Sequence, residues 1–122
     1  MKKLEQAINL DEVRRAKEAV YRHIVPTQLT RYENLSRLLD ANIYVKHENH
    51  NPTGTFKVRG GVNLMHHLKK RDVEGVITFS TGNHGLSIAT TAAWYGIDAT
   101  VVVPENNNAS KNRKIRETGA EL

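Results

Sequence analysis

Lys57 lies in the run Asn51-Pro52-Thr53-Gly54-Thr55-Phe56-Lys57-Val58-Arg59-Gly60, a turn-rich loop that delivers one lysine to the expected start of a helix just after an expected strand. A lysine fixed at such a junction can be partly desolvated, which disfavours the ammonium and leaves an amine able to form a Schiff base with an aldehyde. The plainer alternative is an exposed lysine on a first helical turn, where most lysines stay in water. Pro52 and Gly54 fix the turn, Thr55 can cap the helix, and Phe56 offers a flat apolar face beside the amine. A second loop, Ser80-Thr81-Gly82-Asn83-His84-Gly85, repeats the strand-loop-helix arrangement with different polar groups. Its glycines let the backbone approach a ligand, and successive amides at a helix N-terminus suit a carboxylate or phosphate. Asn83 adds a neutral side chain able to hydrogen-bond a phenolic oxygen, or else it simply caps the helix. No Gly-Lys-Ser/Thr follows, so this is not a nucleotide-hydrolase phosphate loop.

The elements that must position these loops follow from periodicity. Val13, Ala16 and Val20 stand at helical spacing within Leu10 to His23, behind Asn9 as N-cap. A short helix over Glu33 to Asp40 precedes the strand Ile43-Tyr44-Val45. Then come a helix from Val58 to Lys70, a strand Val76-Ile77-Thr78-Phe79, a helix from Asn83 to Tyr95, a strand Thr100-Val101-Val102-Val103, and a helix from Ala109 to Thr118 closed by Gly119. Apolar strands alternating with helices predict an α/β fold with flanking helices on both faces of a parallel sheet. Ligands of such sheets bind outside the carboxyl ends of the strands, where both loops are expected to sit. The sequence stops at Ala120-Glu121-Leu122, where the pattern calls for another strand, and so reads as truncated. Asn106-Asn107-Asn108 is a polar turn.

Composition narrows the function classes. The 122 residues amount to one domain's worth, with 39% hydrophobic and 25% charged residues, as in a globular protein that buries a core. The absence of cysteine excludes disulfides and thiolate zinc sites and fits a cytoplasmic setting. Glu5, Gln6, Asn9 and Asp11 interrupt any signal-peptide core, and the run around Val101-Val102-Val103 is too short to cross a bilayer. The net charge of +5 is densest at Lys111-Asn112-Arg113-Lys114-Ile115-Arg116, where one large apolar residue and no aromatic residue describe the solvated face of a helix, not a nucleic-acid site. His47 and His50 are the closest usable histidine pair, His66 and His67 diverge on a helix, and His84 reads as a loop-packing residue; no metal is expected.

Lys46-His47-Glu48, the Lys57 run and Ser80-Thr81-Gly82-Asn83-His84-Gly85 together resemble the fold-type II pyridoxal-phosphate enzymes, which share a tryptophan-synthase-β-like fold. Phe56-Lys57-x-Arg59-Gly60 is similar to the threonine dehydratase and serine racemase group, whereas cysteine synthases typically follow their lysine with Asp-Arg. Ile24-Val25-Pro26-Thr27-Gln28-Leu29, Val102-Val103-Pro104-Glu105 and Gly119-Ala120-Glu121 extend the similarity from about residue 20 to 122. The resemblance implies that Lys57 is the Schiff-base lysine and the base for the substrate's α-proton. It places Phe56 near the ring of pyridoxal 5'-phosphate, Asn83 on its 3-oxygen, and the substrate carboxylate on Ser80, Thr81, Gly82, Asn83 and His84. The implied reaction is ammonia-lyase β-elimination from a small hydroxy amino acid to a 2-oxo acid and ammonia.

Certain positions depart from the family pattern. Thr81 stands where dehydratases often have alanine and racemases serine, and its hydroxyl is a poor base, so it reads as a loop hydroxyl. Gly61 and Gly85 stand where alanine is common. The family's glycine-rich phosphate loop and the serine or threonine at the pyridine nitrogen have no counterpart; Gly60-Gly61 is the only glycine pair. Residues 1–45 are expected to belong with the family's larger domain and 46–122 to form a small α/β domain. The expectation is the N-terminal portion of a threonine or serine dehydratase-like enzyme, inactive alone, with a homo-oligomer or a further domain as partner. Serine racemase, 3-hydroxyaspartate dehydratase and an ectoine-breakdown ammonia-lyase share Lys57 and Asn83. A noncatalytic module that binds anions or a subunit through Ser80–Gly85 is the alternative of another class.

Overall fold

A computed structural model of the chain describes residues 9–122. Helix α1 spans Leu10–Val20, opened by Asn9, whose Oδ1 accepts from the Glu12 N–H at 2.9 Å. It buries Ala19 and Val20 while Val13 stays exposed, so only the end of the expected stripe meets the core. Strand β1, Leu29–Arg31, and strand β2, Tyr44–Lys46, flank α2, Glu33–Leu38, and pair antiparallel with Thr30 opposite Val45. Helix α3 covers Lys57–Lys69, β3 Gly75–Phe79, α4 Asn83–Tyr95, β4 Asp98–Val102 and α5 Ala109–Arg116. β3 and β4 pair in parallel from Gly75 opposite Asp98 to Phe79 opposite Val102, with α4 as the crossover. Thr100 of β4 adds an isolated parallel bridge to Glu121, the strand-like continuation that the pattern called for.

The fold is α/β, and two features differ from expectation. β2 does not join the parallel sheet. Its ladder groups are taken by Leu29–Arg31, a strand of three residues whose single large apolar side chain gives no alternating signal. The parallel pair is covered on one face only among the described residues. Val101 is fully buried and Ala99 nearly so, under α4 and α5, whereas Ile77 and Phe79 on the opposite face are 73% and 67% exposed. Side chains alternate across a strand, so a run apolar at every position shows one row to each face. No helix among the described residues packs on the second row.

Three apolar clusters fix the helices. Met65, Ile88, Ala92, Ile97 and Ala99 join α3, α4 and β4. Val20 and Ile24 pack on Val58 and Val62, which fastens α1 to α3. Ala89, Val101 and Ile115 anchor α5, whose four basic residues remain exposed, as the solvated-face pattern required. The closest approach is at Gly61, where a Cβ would come within 2.7 Å of both Ser87 Oγ and Thr91 Oγ1. Both hydroxyls are buried and engaged: Ser87 donates to the Lys57 carbonyl at 2.8 Å and Thr91 to the Ser87 carbonyl at 2.7 Å. The volume that an alanine would fill at residue 61 is occupied by the α4 hydroxyls. Gly61→Ala should therefore cost about 1–3 kcal/mol through overpacking, read from urea denaturation; a stability equal to that of the parent chain would show that α4 yields without cost.

Candidate functional site

The Lys57 segment is braced on one carboxylate. A 3₁₀ turn at Glu48–His50 follows β2, and the Gly54 N–H then donates to the Asn51 carbonyl at 2.7 Å, with Gly54 in the left-handed region at φ +72. Glu48 accepts from Arg59 twice, Nε to Oε2 at 2.7 Å and a terminal guanidinium nitrogen to Oε1 at 3.0 Å. The Thr27 hydroxyl donates to Oε1, and buried Asn51 donates through Nδ2 to Oε2 at 2.7 Å and to the Thr55 carbonyl at 3.2 Å. Lys46 Nζ bonds the Thr27 carbonyl and stands 3.8 Å from Glu48 Oε1. One side chain thus ties the segment before β1, the turn and the first turn of α3 together, with Lys57 between the anchored residues Thr55 and Arg59. The hydrogen-bonded Arg59 guanidinium, against some opposing desolvation, holds the Glu48 carboxyl down at about 2. Glu48 raises the Arg59 value in turn. The Arg59 guanidinium also lies 5.8 Å from the centre of the Tyr21 ring, which couples the end of α1 to the same cluster.

Lys57 is the first residue of α3, and its N–H reaches Thr55 Oγ1 at 3.3 Å, so Thr55 bonds the helix start from just outside it. The amine is not desolvated as expected: Lys57 is exposed and Phe56 is 62% exposed beside it. Among the described residues the Lys57 amine makes neither hydrogen bond nor ion pair. Among the described residues both side chains keep access to water.

The second loop is organised by Ser80, not by Asn83. The Ser80 N–H continues the ladder to the Val102 carbonyl at 3.0 Å, and its Oγ accepts from the Gly82 N–H at 3.2 Å and the Gly85 N–H at 2.9 Å. Gly82 takes the N-cap position, and Asn83 begins α4. Thr81, Asn83 and His84 are exposed, so His84 does not pack into the loop as expected. A Cβ on Gly85 would come within 2.8 Å of Val101 Cγ1 and 3.1 Å of Ser80 Cβ, so the absence of a side chain lets α4 begin directly against β4. The first turn of a helix leaves N–H groups without intrahelical partners. Ser80 takes that of Gly85, and those of Asn83 and His84 have no hydrogen-bond partner among the described residues, which is the condition for a helix N-terminus to receive an anion.

The helices that follow the two loops pack against each other. Ser87, one turn beyond Asn83, donates its hydroxyl to the carbonyl of Lys57 itself. The expected placement of both loops at the carboxyl ends of one sheet holds for Ser80–Gly85 alone, because β2 belongs to the antiparallel pair. Sequence reasoning missed Glu48 as a hub, along with Thr27 and Ser87. Glu48 and Arg59 carried a signal, being the only oppositely charged residues that bracket the Lys57 turn at close range.

Comparison with known proteins gives a consistent relationship. The family model described as pyridoxal-phosphate dependent enzyme matches residues 20–122. The chain is 35% identical over 116 residues to the L-threonine ammonia-lyase of Thermotoga maritima, covering 94% of this chain and 29% of that protein. It is 36% identical over 117 residues to the catabolic L-threonine dehydratase of Staphylococcus aureus, covering 94% and 34%. A pyridoxal 5'-phosphate-dependent aspartate racemase superposes with a TM-score of 0.89 at 28% identity, over 99% of this chain and 38% of that one. Maize serine racemase gives 0.87 at 28% identity, over 94% and 35%. The chain therefore spans about a third of the length of the curated relatives it matches.

The Glu48 cluster makes a pH-dependent contribution whose sign is fixed. A carboxyl held below its unfolded value of about 4.3 stabilises fully above that pH and loses its contribution as the pH falls toward the folded value, which here is about 2. Glu48→Gln should lower stability at pH 7 by about 1.5–3 kcal/mol, the worth of hydrogen bonds to a charged group. In urea titrations from pH 7 to 2 the gap from the parent should narrow below about 4.3 and close near the bottom. A gap constant with pH would mean that the shape of Glu48 matters and its charge does not.

Proposed function

Since the chain belongs to the pyridoxal-phosphate dependent enzymes, we propose that it carries the lysine-bearing part of a threonine or serine dehydratase-like ammonia-lyase. Its net reaction removes the α-proton and β-hydroxyl of a small hydroxy amino acid and yields a 2-oxo acid and ammonia. The observation that supports this is the hydroxyl of Ser87 on the carbonyl of Lys57, which holds the start of the lysine helix against α4, the helix that follows the Ser80–Gly85 loop. The relatives at 35% and 36% identity are named for threonine ammonia-lyase and dehydratase.

The residues present fit the aldehyde end of the cofactor and a substrate carboxylate. The Lys57 amine has no hydrogen bond or ion pair among the described residues and can bond an aldehyde carbon, the exposed Phe56 ring stands next to it in sequence, and the first amides of α4 at Asn83 and His84 are without partners among the described residues. When bound, pyridoxal phosphate supplies the electron sink that makes an amino-acid α-proton removable. Lys57 would hold the cofactor through its amine and would accept the substrate's α-proton at Nζ. Asn83, a neutral amide, would hydrogen-bond the cofactor's 3-oxygen without proton transfer. The backbone from Ser80 to His84, with Thr81 and Gly82 between, orients the carboxylate. Thr81 serves as a loop hydroxyl and not as a second base. Of the division expected at residue 45, residues 9–45 go with the larger domain of the family and 46–122 with the small one, and residues 1–8 lie outside the described residues. A cytoplasmic setting matches the absence of cysteine, and a larger assembly or further domain would supply the phosphate cradle.

Racemisation is the second reading, favoured by the superposition on aspartate and serine racemases. It uses the same Lys57 and differs in returning the proton on the opposite face. 3-Hydroxyaspartate and ectoine-breakdown substrates remain within the same class.

Two outcomes are expected. Treatment with pyridoxal phosphate and borohydride, followed by peptide mass spectrometry, should place the pyridoxyl group on the Lys57 peptide above all others, and Lys57→Ala should remove it. Equal modification of the surface lysines would return the chain to the noncatalytic module. The 122-residue chain alone should release no 2-oxobutyrate from threonine, because orientation of the reacting groups is worth orders of magnitude in rate; steady release would overturn the proposed dependence on further structure.

A further inference from the structure

Lys111 stands apart from the other basic residues of α5. Asn108 opens that helix, with its Oδ1 accepting from the Lys111 N–H at 3.1 Å, and Asn107 donates to Asn112 Oδ1 at 2.6 Å, which fixes the first turn. Ile115, fully buried against Ala89 and Val101, lies four residues further on, and residues four apart share a helix face. The face that anchors α5 under β4 therefore also aims Lys111 at the loop between β3 and α4. Its side chain runs along Gly82: a Cβ built there would come within 2.9 Å of Lys111 Nζ, 3.2 Å of Cδ and 3.4 Å of Cε. Arg113, by contrast, pairs with Glu117 at 3.7 Å. Among the described residues Lys111 has no carboxylate partner, although the chain holds its stem against a glycine that has no side chain to displace it.

We propose that Lys111 is a recognition group of the Ser80–Gly85 loop, whose ammonium draws the carboxylate of an amino-acid ligand onto the backbone amides at the start of α4. The inference rests on the carboxylate role assigned to that loop above and adds a charged partner from a different helix. Unpartnered amides supply direction through their hydrogen bonds, and the ammonium supplies net charge, which amides lack. The pair discriminates an anionic carboxylate from its neutral amide. A residue that merely held the loop in shape would affect both ligands alike.

The test uses the 15N-labelled 122-residue chain titrated at low ionic strength with L-threonine and, separately, with L-threoninamide, following the amides of Thr81 to Gly85. Threonine should shift these amides and bind more tightly than threoninamide. Lys111→Gln should weaken threonine about twofold to fivefold, the range for one exposed charge pair, and leave threoninamide unchanged. Lys111→Arg should retain most of the parent's preference, and added salt should shrink the difference between parent and Lys111→Gln. Equal weakening of both ligands in Lys111→Gln, or none, would overturn the role of Lys111 alone. No loop shift with threonine in the parent chain would bring down the carboxylate role of the loop, and that of Lys111 with it.

Discussion

The close approach of α3 to α4 is the constraint on which the site depends. Lys57 and Asn83 open helices whose preceding loops leave different sheets, so no shared ladder sets their separation. A bare backbone at Gly61, the buried hydroxyls of Ser87 and Thr91, and the Ser87 bond to the Lys57 carbonyl do so instead. A buried hydroxyl left without its partner is costly, so these groups favour one depth and register of the helix pair over its neighbours. Apolar burial drives the helices together, at roughly 1.5–3 kcal/mol for each buried Val, Ile or Met side chain. It is non-directional, and the hydroxyls decide where the approach stops.

Glu48 acts on a different scale. It touches neither the α3–α4 contact nor the parallel strands, yet it gathers Thr27, Asn51 and Arg59 around one carboxylate. With Arg59 23% and Glu48 19% exposed, the pair lies between a surface ion pair and a buried one, where geometry decides its worth. Two guanidinium bonds and two further donors satisfy the carboxylate, which is the condition under which such a pair rigidifies a turn. The turn it rigidifies ends two residues before Lys57.

Much of this was legible in the sequence. α4 occupies the residues Asn83 to Tyr95 that periodicity assigned to it, and Asn9 caps α1. The two loops were legible because glycine, proline and asparagine act locally, through their own backbone preferences. The β1–β2 pairing was not, since three residues are too few to show a period and the partner is chosen by contact across α2. Ser87 and Lys111 were invisible for a related reason. A serine in mid-helix and a lysine in a basic run acquire meaning only when a neighbouring helix arrives with a carbonyl or a bare glycine. The departures from alanine at 61 and 85 become intelligible in the same way, because Ser87, Thr91, Val101 and Ser80 fill the space that a methyl would take.

The uncovered row of Ile77, Phe79 and Val102 bears on how the molecule responds to its solvent. Sulfate and phosphate are excluded from apolar surface and strengthen its burial, whereas cooling weakens it. These same ions are the simplest visitors to the amides at the start of α4. One solute thus addresses two parts of the molecule at once, at the loop as a ligand and at the sheet as a salting-out agent.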